Sequence, residues 1–162
     1  MHPKRISKWM IKPCVYLMGS NALQRSWLFE SKSITQRIKK NHAFKLELTS
    51  EIEEKLDSIE KKLIGIASDQ SFVRRVMLFA DNKLFVLAKS IIPKETMKFG
   101  YSDLEKLGNK PLGDLIFTSK EFNKKNSYFA KFKINSKTYW GRITVFDVGG
   151  YPMSIREIFI IE

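Results

Sequence analysis

The sequence predicts an α+β domain, a single antiparallel β-sheet with helices packed on it. Strand-like runs separated by tight turns recur from Phe72 onward and pair most simply as hairpins. Helix-start patterns lie mostly in the first half, with one insertion between Ser102 and Phe117. With 162 residues, 43% hydrophobic and 12% aromatic, the chain has the size of one domain able to bury a core. Residues 1–162 are therefore expected to form one unit, a basic segment 1–20 followed by a core 21–162.

The opening segment carries Lys4, Arg5, Lys8 and Lys12 and ends at Met18-Gly19-Ser20. A helix is expected from Asn21, where Leu23 and Trp27 lie one turn apart with Leu28 beside them. Ser33-Ile34-Thr35-Gln36 has the form of a capping box, which starts a short second helix and leaves the amides near Ile34 pointing out of its N-terminus. Phe44, Leu46 and Leu48 alternate with polar residues, as in a strand with one wet face. Ser50 with Glu53 reads as another capping box. Ile52, Leu56, Ile59, Leu63 and Ile66 then follow helical spacing, which predicts a covering helix.

Phe72 to Ala80 and Leu84 to Ile92, joined by Asp81-Asn82-Lys83, form a hairpin at the centre of a sheet, since both runs are apolar on both faces. Ser102 with Glu105 is a third capping box, and Gly108 is a C-terminal stop. Pro111 opens a further short helix, whose early amides around Leu112 and Gly113 are free to meet an anion. Tyr128 to Ile134 and Thr138 to Phe146 make a second hairpin, and Gly149-Gly150 turns the chain into a last strand, Pro152 to Glu162.

Alternation places two charges among apolar neighbours. In the last strand Glu157 shares a side with Met153, Ile155, Phe159 and Ile161. In the first hairpin Arg74 shares a side with Phe72, Val76 and Leu78, while Arg75 falls on the other face with no partner evident. A buried carboxylate and a buried guanidinium are costly unless they are paired or functional.

Composition excludes several classes. The single cysteine, Cys14, rules out an internal disulfide, and His2 and His42 are too few for a His/Cys metal cluster. No cofactor site is expected. There is no apolar run of about 20 residues to span a membrane and no signal-peptide pattern, so a soluble cytoplasmic protein is expected. The formal net charge is +12, but the lysines are scattered in pairs such as Lys39-Lys40 and Lys124-Lys125, which reads as a solvated basic surface. No nucleic-acid motif accompanies them, and a positive field would equally speed capture of a small dianion. The absence of a coiled-coil repeat makes a monomer the expected state.

Five ordered pieces together resemble the chorismate pyruvate-lyase family. They are Trp27-Leu28 with Ser33-Ile34-Thr35-Gln36-Arg37; Val73-Arg74-Arg75-Val76 running to Ser90-Ile91-Ile92-Pro93; Leu107 to Gly113; Trp140-Gly141-Arg142; and Arg156-Glu157-Ile158-Phe159. The resemblance covers residues 21 to 161. It implies conversion of chorismate to 4-hydroxybenzoate and pyruvate for ubiquinone synthesis. It also implies that Arg74 and the Leu112 amide bind the ring carboxylate, while Glu157 and the Ile34 amide meet the oxygen that becomes the phenol. Arg75 departs from the usual Arg-Glu pair, and Lys89-Ser90 stands where some members carry an arginine approaching the second carboxylate, which leaves that carboxylate without an assigned partner. Arg142 reads either as an anion contact or as a structural cation, the latter preferred.

Expulsion of pyruvate needs no redox or metal group, because aromatisation drives it. Burial in an apolar row favours the neutral form of a carboxyl, so Glu157 reads either as a proton donor to the departing oxygen or as a hydrogen bond that only holds the oxygen in place. A product held at both ends implies a cover that opens, and product release is expected to limit turnover. Two alternatives use the same fold: a non-catalytic effector-binding domain, which normally follows a winged helix that the first 20 residues are too few to form, and a lyase giving another hydroxybenzoate isomer.

Overall fold

The computed structural model describes residues 2–161. Met1 and Glu162, the ends of the expected unit and of the expected last strand, lie outside it. Among the described residues seven strands form one sheet: β1 (Lys4–Arg5), β2 (Phe44–Lys55), β3 (Gln70–Ala80), β4 (Lys83–Ile92), β5 (Phe122–Ile134), β6 (Lys137–Val148) and β7 (Tyr151–Phe159). Their order is β1-β5-β6-β7-β4-β3-β2, and every pair is antiparallel. The strand last in sequence is thus central in the sheet.

Tight turns set the registers. Asp81 and Asn82 both take positive φ, 50° and 62°, as a two-residue hairpin loop between Ala80 and Lys83 requires. Gly149 and Gly150 do the same between Val148 and Tyr151, at 56° and 92°. The basic opening segment joins the sheet through β1, and Val15 is fully buried in the core under the helices.

Among the described residues five α-helices flank the sheet: α1 (Lys12–Leu17), α2 (Ala22–Leu28), α3 (Ile34–Asn41), α4 (Ser58–Ile64) and α5 (Leu112–Thr118). Asn21 caps α2 through a full box with Gln24, and the Ser33 hydroxyl caps α3 by accepting from the Gln36 amide at 3.2 Å. Trp27, Leu28, Ile34 and Ile38 pack on Leu78, Val86, Phe129 and Phe159 of the sheet. Leu107, Leu112 and Ile116 pack beside them on Phe146 and Met153. α4 lies on the opposite face, where Ile64 meets Val73 and Ile91.

Two expected helices are corrected. Ser50 with Glu53 is no cap: β2 continues through this stretch to Lys55, and α4 starts later, capped by Asp57, which accepts from the Ile59 and Glu60 amides. Eight residues of β3 find partners in the continued strand between Glu47 and Lys55, so ladder formation outweighs helical spacing, and Ile52 of the supposed apolar face is 53% exposed. Ser102–Lys106 forms a 3-10 helix without a side-chain cap rather than an α-helix, preceded by a π-helical turn at Thr96–Gly100. β5 begins at Phe122, six residues before the expected strand start at Tyr128.

Candidate active site

Antiparallel partners project to the same face, so the registers state which side chains meet. Arg74, Ser90, Ile155 and Thr144 form one row across β3, β4, β7 and β6. Val76, Ala88, Glu157 and Arg142 form the next. These rows floor a cavity that encloses about 700 Å³ of space with its mouth included, roofed by the starts of α3 and α5. Arg74, Ile34, Leu112 and Glu157, the four residues singled out in the sequence, all line it.

Arg74 is 2% exposed and its guanidinium is held from three sides. Nη1 donates to Glu51 Oε1 at 3.1 Å and to the Gly108 carbonyl at 2.6 Å, and Nη2 donates to the Lys110 carbonyl at 3.0 Å. The Leu107 to Gly113 connection therefore orients the cation as well as presenting amides. Glu51 faces Arg74 because Thr49 is an extra residue in β2: Leu48 pairs with Val76 and Ser50 with Arg75, which shifts the alternation and brings Glu51 opposite Arg74.

Glu157 does not sit in a wholly apolar surround. Arg142 Nε donates to its Oε2 at 2.6 Å, and the two side chains are 7% and 13% exposed. Glu157 Oε2 therefore has a charged donor that the apolar row alone did not suggest. Arg142 also donates through Nη1 to the carbonyls of Leu28, at 3.2 Å, and Glu30, at 2.5 Å. One guanidinium ties the sheet centre to the α2–α3 connection.

Ile34 and Leu112 are the first residues of α3 and α5, so their amides have no acceptor within their own helices. The two helix starts abut: a Cβ on Gly113 would lie 3.3 Å from Ser33 Oγ and 3.4 Å from Thr35 Oγ1. Lys39 of α3 and Asp114 of α5 close the roof with a 2.8 Å ion pair. In the Trp140-Gly141-Arg142 piece the glycine allows close approach, since a Cβ there would come within 2.8 Å of Phe132 Cε2 and 2.9 Å of the Glu157 carbonyl oxygen.

Arg75 finds its partner on the back of the sheet, donating to Glu54 Oε1 at 2.5 Å. Burial pushes the Glu54 carboxyl up, but the hydrogen bond and charge of Arg75, helped by Lys89, more than offset this and hold it below the usual carboxylate range. Lys89, the residue at the departure from the family pattern, also points to the back, where both Glu60 oxygens accept from its Nζ at 2.9 Å.

Glu51 behind Arg74 and Lys124 in the cavity lining escaped the sequence reading, and so did the contact between Arg142 and Glu157. Glu51 was hidden by the bulge. Arg142 was legible by counting: six residues back from Val148 and six on from Tyr151 reach Arg142 and Glu157, which face each other. Lys124, on β5, carries no sequence signal beyond being one of many lysines. Burial and the nearby Arg142 hold its ammonium below the ordinary lysine range, against the pull of Glu157 and Glu30.

The architecture is that of a curled antiparallel sheet with helices packed on it, and solved structures share this fold. They include the effector domain of PhnF from Mycobacterium smegmatis, with a TM-score of 0.58 and 12% identity over 81% of this chain and 90% of that one. A GntR-family transcriptional regulator from Bacillus cereus is also similar, with a TM-score of 0.53 and 9% identity over 74% of this chain and 94% of that one. At such identities the likeness is one of fold. The sequence narrows the class further: a profile of the chorismate lyase family matches residues 11–162, and the chain belongs to that family. A probable chorismate pyruvate-lyase of Pseudoalteromonas atlantica is 31% identical over 157 residues, covering 86% of this chain and 80% of that protein. The chorismate pyruvate-lyase of Hamiltonella defensa is 29% identical over 137 residues, covering 83% and 75%.

Proposed function

We propose that the protein cleaves chorismate to 4-hydroxybenzoate and pyruvate, acting in the cytoplasm as a monomeric enzyme that supplies the ubiquinone branch. The observation that carries this reading is the single cavity lined by a backbone-held Arg74, an ion-paired Glu157 and the free helix-start amides of Ile34 and Leu112.

In this reading Arg74, steered by the Gly108 and Lys110 carbonyls, pairs with the ring carboxylate, with the Leu112 amide beside it. Glu157 accepts from the hydroxyl that is kept as the phenol, and the Ile34 amide donates to the same oxygen. The ring hydrogen on the carbon bearing that hydroxyl is lost and the ether bond on the neighbouring carbon breaks. The ring becomes aromatic, and the departing enolpyruvate gains a proton to become pyruvate. The protein supplies orientation and a dry polar frame for this elimination. The net charge of +12 suits capture of a dianion, with no nucleic-acid partner. Family membership favours this reading over an effector-binding role or another isomer.

The test is chorismate consumption followed by absorbance together with product analysis. Equal amounts of 4-hydroxybenzoate and pyruvate are expected. Binding without turnover, or 3-hydroxybenzoate as product, would replace the reading.

A further inference from the structure

Chorismate carries two carboxylates, and the frame above accounts for one. We propose that Lys124 binds the enolpyruvyl carboxylate and thereby makes the site prefer substrate over product; this rests on the chorismate reading. The enolpyruvyl group hangs from the ring carbon next to the one bearing the retained hydroxyl, so its carboxylate falls at the Glu157 end of the cavity. Three cavity-lining cations other than Arg74 are available: Arg142, Lys32 and Lys124.

Arg142 is committed through Nε and Nη1 to Glu157 and to two backbone carbonyls. Lys89 is turned to the back of the sheet and held by Glu60. Lys32 and Lys124 both keep exposed surface, but Lys32 lies on the loop between α2 and α3, which no strand register holds over the cavity. Lys124 stands on a strand, opposite Phe146, which lines the same cavity. The register of β5 shifts just after it, between Lys124 and Asn126, a local irregularity of the kind that re-aims a side chain at the rim of a sheet. Its ammonium makes no hydrogen bond or ion pair among the described residues.

Four charged groups act on it: Arg142 on β6, Glu157 on β7, Glu30 between α2 and α3, and Lys12 on α1. A partly desolvated lysine beside a fixed arginine is an unfavourable arrangement that an incoming carboxylate relieves. 4-Hydroxybenzoate lacks that carboxylate, so the contact forms with substrate and departs with pyruvate.

The experiment compares chorismate kinetics and 4-hydroxybenzoate inhibition in the wild type, Lys124→Met, Lys124→Arg and Lys32→Met. Lys124→Met is expected to raise the KM for chorismate about 10- to 100-fold, the worth of one charged hydrogen bond, while the product Ki stays within about twofold. That unchanged Ki also shows the variant to be folded. Lys124→Arg should restore most of the affinity. In the wild type KM should rise with alkaline pH from below the ordinary lysine range, and Lys124→Arg should remove that rise. An unchanged KM, a KM and Ki that rise together, or a selective loss seen in Lys32→Met instead would overturn the role of Lys124. Wild-type protein that leaves chorismate intact would overturn the lyase reading and this proposal with it.

Discussion

Arg142 and Glu157 face each other directly across β6 and β7, and the guanidinium that donates to the carboxylate also binds the carbonyls of Leu28 and Glu30. The carboxylate at the sheet centre is therefore coupled to the connection between α2 and α3, which leads into the cavity roof. Removing one partner leaves a buried charge uncompensated. Arg142→Met is expected to cost about 3 to 5 kcal/mol of stability and most of kcat. Arg142→Met combined with Glu157→Gln should recover stability without recovering activity. Denaturant titration of the two single variants and the double variant, with activity assays, checks the coupling.

Arg74 serves by shape as well as charge, because Glu51 and Gly108 hold one arm of its fork and Lys110 holds the other. A lysine cannot make those contacts and still present a planar pair of donors. Arg74→Lys is expected to weaken chorismate and 4-hydroxybenzoate alike, about 10- to 100-fold in KM and Ki. This parallel loss distinguishes it from Lys124→Met, and a steady-state inhibition series measures both.

The Lys39–Asp114 pair joins the two roof helices while its side chains remain 45% and 31% exposed. Such a pair adds little to global stability but resists separation of α3 from α5. If product release limits turnover, Lys39→Met should raise kcat about twofold and shrink the pre-steady-state burst of 4-hydroxybenzoate. Rapid mixing reads both, and a wild type without a burst would contradict release as the slow step.

On the back of the sheet, Glu54 has a folded-state pKa below its ordinary value of 4.5. A depressed carboxylate binds its proton less readily in the folded chain than in the unfolded one. The stability it contributes is fully present above the unfolded value and is lost as pH falls through the folded one. Glu54→Gln should therefore lower Tm at neutral pH, with the gap to wild type closing below about pH 4. Thermal melts across pH 3 to about 7 test the sign.

Much of this was readable from local pattern. Arg74 and Glu157 stood out because strand alternation placed them among apolar residues, and Ser33 and Pro111 marked the helix starts whose amides meet the cavity. The stretch after Ser50 misled because capping and helical spacing are properties of short segments, whereas its pairing with β3 is a property of two distant ones. The same limit hid Glu51, whose side depends on the Thr49 bulge, and hid the partner of Glu157, since Arg142 reaches it only through the β6–β7 register.

By itself the sequence determined the fold class, the family and the residues with unusual charge, because these follow from periodicity, turn residues and ordered motifs. The tertiary structure alone decided how the charges are partnered: Arg74 with Glu51 and two loop carbonyls, Glu157 with Arg142, Arg75 with Glu54, and Lys124 with none among the described residues. Pairing is decided at that level because it depends on distances of a few ångströms between strands far apart in the chain. A single bulge or shift of register changes which side chain arrives.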